Sequence, residues 1–130
     1  LPNLLFVYTT REQANELVKK KTDEPSFIKY YLDKTKPLES NGKHPPLKIS
    51  FNSMINFIKV TSTDSEHVRI VTKHQCNYKC GDIVRIIEGE FKGVEGKIAR
   101  IAGQQRVVVE IAGLCLVATA YIPKAFLEKK

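Results

Sequence analysis

The sequence predicts an α+β chain: a portion of mixed helices and strands over residues 1–61, a connecting stretch over 62–80, and a small β-barrel over 81–130. Three observations carry this. Apolar residues recur at helical spacing after capping residues at Thr10 and Ser50. The composition changes at Gly81, after which short β-branched runs alternate with glycines. Four such runs in about 50 residues can bury a core only by closing on themselves.

Leu4 to Tyr8 is an apolar, aromatic and branched run of strand length, with both faces patterned for burial as in a central strand. Thr10 stands three residues before Gln13, a capping-box spacing, and Glu12 falls in the first turn. Ala14, Leu17 and Val18 then share one face, and Lys19, Lys20 and Lys21 suit a helix C-terminus, which predicts a helix over about 11–20. Pro25 breaks the chain, Ser26–Tyr31 reads as a strand, and 33–46 is a polar loop rich in turn formers. Ser50 caps a second helix with Phe51, Met54, Ile55 and Ile58 on one face. Residues 61–66 read as linker or as a frayed helix end, and Val68–Val71 as a short extended piece.

In the barrel portion, strands are expected at 82–87, 95–102, 106–111 and 114–119. Turns fall at Gly103-Gln104 and Ala112-Gly113, and Pro123 permits one helical turn at 123–126. The connection from Ile87 to Lys97 holds glycines at 89, 93 and 96 around Phe91, the mark of a tight, shaped turn. It lacks Gly-x-Gly and Gly-Lys-Ser/Thr and opens onto a strand, which excludes the phosphate-loop patterns. An aromatic at such a tip reads as solvent-facing, a contact anchor.

The chain has 130 residues, with 21 lysines and arginines against 14 acids, a net charge of +7. Eleven basic and eight acidic residues lie in 1–72, ten and six in 73–130, so the excess is spread along the chain. Such a field suits nucleic acid or an acidic partner. Three cysteines, an odd number, fit a reducing cytoplasm better than a disulfide framework. The longest near-apolar run, Ile111–Ile122, is shorter than the roughly 20 residues of a membrane-spanning helix. The chain starts at Leu1 and runs at once into a strand pattern, as a piece of a longer chain does.

His74, Cys76 and Cys80 form a metal-like cluster, but Cys-x3-Cys is a poor zinc spacing and a fourth ligand is distant in sequence. They read as a linker histidine and half-buried thiols, and no metal or cofactor is expected. His44, His67 and His74 sit in polar context without a nucleophile partner, so no enzyme is expected either. Phe6, Tyr8, Phe27, Tyr30 and Tyr31 fit the core of a small sheet domain better than a base-stacking platform.

Gly81, Asp82, Val84, Ile86, Gly89, Phe91, Gly93, Gly96 and Ile98 together resemble the KOW motif of NusG-type transcription factors and of some large-subunit ribosomal proteins. The resemblance implies an SH3-like barrel used for docking. Leu1-Pro2-Asn3-Leu4-Leu5-Phe6-Val7 resembles the Pro-Gly strand of the NusG N-terminal (NGN) domain, and the order of elements through Ser50 is similar, giving a partial NGN-type α/β sandwich over 1–61. Leu1–Val7 and Ala120-Tyr121-Ile122-Pro123-Lys124-Ala125 are most similar to the UpxY group, the specialised factors of capsular-polysaccharide operons.

This resemblance implies a transcription elongation or antitermination factor that binds RNA polymerase through Leu1, Pro2, Leu4 and Phe6. The barrel then docks Rho, a small-subunit ribosomal protein or an operon-specific partner through Phe91, Val94 and Ile111. Two departures stand out. The strand and helix that open the family's first domain are missing, which implies an uncovered face and self-association. Ala112 stands where general factors often carry a bulky aromatic, which leans away from Rho or ribosomal docking. The alternative is a ribosomal-type KOW protein holding RNA phosphates with Lys92, Lys97, Arg100 and Arg106.

Overall fold

The computed structural model describes residues 4–19, 28–63 and 65–130, with the side chains of 79–81 outside the description. The chain divides into two compact units, Leu1–Leu47 and Lys48–Lys130, and not at the expected 61/62 boundary.

In the first unit, α1 (Arg11–Val18) starts where the capping pattern predicts: the Thr10 side chain accepts the Gln13 backbone N–H at 3.2 Å. The reciprocal half of a capping box is absent, because Gln13 Oε1 instead accepts the Thr9 hydroxyl at 2.7 Å. No residue of α1 is buried. The guanidinium of Arg11 pairs with both carboxylate oxygens of Glu39, at 2.8 and 3.1 Å, and the Tyr30 hydroxyl donates to Asn15 Oδ1.

The two strands expected here do not form in the described residues. Leu4–Tyr8 forms no strand, and Leu5 and Tyr8 are 74% and 93% exposed. Residues 28–31 contain no strand, and Ser26 and Phe27 lie outside the described residues. A bridge from Leu32 to Pro46 closes the 33–46 loop, with Asp33 N–H to Pro45 O and Leu47 N–H to Tyr31 O both at 2.8 Å. A strand persists only where a partner ladder completes it, and no ladder forms along this run among the described residues.

The second unit begins with α2 (Phe51–Thr61), whose Ser50 cap accepts the Ser53 backbone N–H. Its buried residues are Asn56, Phe57 and Val60, while Phe51 and Ile58 are exposed. The buried stripe is therefore rotated from the expected Phe51, Met54, Ile55 and Ile58 face, because α2 packs on strands that follow it in the chain. The stretch 62–80 is not a bare connection: it supplies β1 (Arg69–Val71), a 3-10 turn at Lys73–Gln75 and the start of β2 (Asn77–Ile86).

Then come β3 (Glu95–Ile101), β4 (Gln104–Ile111), β5 (Cys115–Ala118), a 3-10 turn at Lys124–Phe126 and an unanticipated β6 (Leu127–Lys129). All pairs are antiparallel, in the order β1-β5-β4-β3-β2-β6. Val107, Val108 and Val109 of β4 are all buried, so both faces of the sheet are covered. Val71, Ala99, Ile101, Val108, Leu116 and Ala118 cluster on one face, with Cys76 packed against them. The register turns Val84, Ile86, Val107, Val109, Ile111 and Val117 to the other. Each fully buried Val or Ile contributes about 1.5–3 kcal/mol. A short antiparallel sheet with two apolar faces is compatible with a small SH3-like barrel.

Candidate functional site

The turn from Ile87 to Val94 is built from its glycines and from what clamps it. Gly89 and Gly93 have φ of 89° and 92°, a conformation that side chains rarely adopt. The Gly93 N–H donates to Ile86 O at 2.8 Å, the Ile86 N–H to Val94 O at 2.9 Å, and the Ile87 N–H to Phe126 O at 2.8 Å. Helix α2 holds the same region: Lys59 Nζ donates to Gly93 O at 3.2 Å, and Asn56 Oδ1 accepts the Glu95 N–H at 2.8 Å.

This geometry corrects the expected docking residues. Phe91 is 3% exposed, and Val94 and Ile111 are equally interior. An aromatic here folds back under the turn because two left-handed glycines on either side reverse the chain over it. Phe91, Val94 and Ile111 are thus the turn's and the barrel's packing.

The four expected phosphate contacts separate. Lys92 and Arg100 are exposed; Lys97 is exposed with its ammonium 5.9 Å from the Tyr78 ring centre. Arg106 is 4% exposed and spent internally, donating from Nη1 to His67 O and Thr119 O at 2.8 and 3.0 Å and from Nη2 to Gln104 Oε1 at 3.0 Å. Its Nε is buried without a partner, and burial followed by the charge of Arg69 lowers its pKa. A side chain on a β4 position that the sheet covers cannot reach a phosphate in solvent.

Between α2 and the sheet runs an open groove of about 680 Å³, lined by Asn52, Asn56, Tyr78, Ile83, Lys97 and Glu110 among others. Its charges are largely internally matched: Lys130 and Arg85 pair with Glu95, and Lys129 with Asp82 at 3.3 Å. The Lys130 hydrogen bond, helped by Arg85, holds the Glu95 carboxyl below the usual carboxylate range against the opposing effect of burial. Burial, reinforced by Cys76, pushes the Tyr78 phenol up to about 12. The groove is polar and near-neutral, unlike a phosphate channel.

His74 is exposed and Cys76 half-buried, with burial raising the Cys76 thiol. Among the described residues no group of three His, Cys, Asp or Glu side chains is placed to hold a metal. On the first unit, Leu4 and Phe6 are partly buried while Leu5, Val7 and Tyr8 are exposed; Leu1 and Pro2 lie outside the described residues. No helix among the described residues is long and apolar enough to cross a membrane.

Two further residues of consequence were not among the expected site residues. Asn56 ties α2 to β3, and an asparagine inside an amphipathic helix gave the available hint. Tyr121 is 55% exposed beside Ile122, which is buried and hydrogen-bonded to Gln105. A family model described as the KOW motif matches residues 80–110, from within β2 to near the end of β4. No curated protein and no solved structure matches the chain.

Proposed function

We propose that the chain is a non-enzymatic, cytoplasmic, two-part factor of transcription elongation and antitermination: the first unit binds RNA polymerase, and the KOW-bearing unit docks a further partner. The observation that carries this reading is the pairing of a KOW motif on one compact unit with an exposed apolar row, Leu5, Val7 and Tyr8, on the other. Apolar side chains on an extended segment suit a groove or a helix of a partner, which removes them from water at about 25 cal/mol per Å². Leu4 and Phe6, partly buried, alternate with Leu5 and Val7, and the reading extends the contact to Leu1 and Pro2, which lie outside the described residues. The similarity of Leu1–Val7 and Ala120–Ala125 to the UpxY group makes capsular-polysaccharide operons the proposed targets. A self-associated form through the same apolar row competes with polymerase in this reading.

Elongation kinetics test it. The chain, added to purified bacterial polymerase on a template with a defined pause, shortens the pause. An unchanged dwell time at saturating chain rejects the reading.

A second reading, a ribosomal-type KOW protein, is favoured by Lys92, Lys97 and Arg100 being exposed in the motif. Three neutralised phosphates give RNA binding with a log–log salt slope of about −2 on single strands. A flat salt dependence of binding by the whole chain rejects it.

A further inference from the structure

The acidic residues of the second unit are unevenly placed. Residues 67–81, 96–109 and 111–127 contain no Asp or Glu. After residue 66, the acids are Asp82, Glu88, Glu90, Glu95, Glu110 and Glu128. They line the groove, occupy the Ile87–Val94 turn or, in the case of Glu128, pair in register with Arg85.

At the opposite end of the sheet, the hairpin around Ala102-Gly103 carries no acid between residues 96 and 109, while Glu66 precedes His67, whose carbonyl accepts from Arg106. This end gathers Arg69, Arg100 and Arg106, and among the described residues none of the three has an ion-pair partner, whereas Arg85, Lys129 and Lys130 all do. Arg106 is buried against neutral acceptors, with Arg69 as a like charge nearby. Uncompensated cations at one end focus a positive potential there.

The same end presents a row of suitable chemistry. Asn77 pairs in register with Arg100, and Arg100 with Gln105. Gln105 is then joined to Ile122 by two hydrogen bonds, Ile122 N–H to Gln105 O at 2.9 Å and Gln105 Nε2 to Ile122 O at 3.1 Å. Tyr121, next in the chain, is exposed. A carboxamide, a guanidinium and a second carboxamide follow one another across β2, β3 and β4, and the aromatic ring stands one residue before the Ile122 that Gln105 binds. The guanidinium suits a phosphate, the carboxamides suit base edges, and the ring suits a base face.

We infer that this acid-poor end binds single-stranded nucleic acid, with Arg100 on a phosphate, Asn77 and Gln105 at base edges and Tyr121 as the stacking platform. Arg106 and Arg69 supply field from behind the row. Unpaired bases are required because a duplex hides the faces that Tyr121 would stack on. The inference rests on the second reading, whose RNA ligand it narrows to unpaired strands, and needs no polymerase.

Fluorescence anisotropy tests it with the full chain, a labelled ten-nucleotide RNA without self-complementarity, its DNA counterpart and the RNA duplex. Binding to either single strand tighter than to the duplex is expected. Tyr121→Ala weakens binding roughly ten-fold, while Tyr121→Phe binds like the parent. Arg100→Gln weakens binding and lowers the salt slope by about 0.7. Lys129→Gln, the same charge change at a residue paired to Asp82, moves neither. Circular dichroism confirms that each variant is folded. Duplex binding as tight as single-strand binding, parent-like affinity in both Tyr121→Ala and Arg100→Gln, or no binding at low salt overturns the inference.

Discussion

The side-chain oxygen of Asn56 accepts the backbone N–H of Glu95 at 2.8 Å, and the Asn56 amide donates to Asn52 O at 3.0 Å. One buried side chain thereby fixes α2 to the first residue of β3, beside the turn that carries the KOW glycines. Removing it leaves a backbone N–H with no acceptor. Asn56→Leu is expected to destabilise the second unit by about 1–3 kcal/mol, read as a lower urea midpoint. An unchanged midpoint would show the contact to be dispensable.

Gly96 is required by close approach. A Cβ built there lies 2.4 Å from Val108 O and 2.9 Å from a Val107 methyl, and the first of these is backbone that cannot swing aside. Gly96→Ala is expected to cost about 1–3 kcal/mol or more, through a shift of β3 against β4. Hydrogen exchange of the β3–β4 amides detects that shift directly.

Phe91 separates packing from docking. Because it is interior, Phe91→Ala is expected to cost about 3–5 kcal/mol of stability by opening a cavity. Were Phe91 a surface anchor, thermal unfolding of the variant would match that of the parent.

Ala102 has φ of 50° and precedes Gly103 at 81°, the backbone of a type I′ hairpin turn. Alanine is a poor residue for that first position. Ala102→Asn is expected to stabilise by about 0.5–1 kcal/mol, read as a higher melting temperature.

Glu95 links stability to pH. Its carboxyl is depressed in the folded state, chiefly by Lys130 and then Arg85, so the unfolded chain binds the proton first. The stability it contributes is present above the unfolded-state value and is lost as pH falls through the lower folded-state value. Subtracting the unfolding free energies of Glu95→Gln from those of the parent is expected to give a difference that shrinks between about pH 5 and pH 3. A difference constant over that window would place the effect elsewhere.

Much of the barrel unit is legible in the sequence because its signals are local. The glycine-punctuated β runs, the Ser50 cap and the Pro123 turn each specify conformation from neighbours in the chain, and the strands fall within a few residues of their expected places. What was not legible depends on distant partners. The buried face of α2 is chosen by β4 and β5, which lie roughly 50 residues on, so its own period could not select Phe57 and Val60 over Phe51 and Ile58. Leu4–Tyr8 has strand composition, but a strand needs a partner ladder, and among the described residues no strand pairs with this run. Arg106 reads as one more surface cation until β4 proves covered on both faces. Phe91 misled for a related reason: turn position suggests exposure, whereas two positive-φ glycines aim the ring inward.

The central claim is that the first unit's apolar row binds RNA polymerase, and retention of bacterial polymerase on the immobilised chain tests it most directly. The parent is compared with Phe6→Asp, within the row's supporting positions, and Val7→Asp, which is exposed and leaves the fold in place. The account predicts retention by the parent and loss with both variants, each still folded by circular dichroism. Polymerase retained equally by all three, or by none while the chain binds RNA, would contradict it.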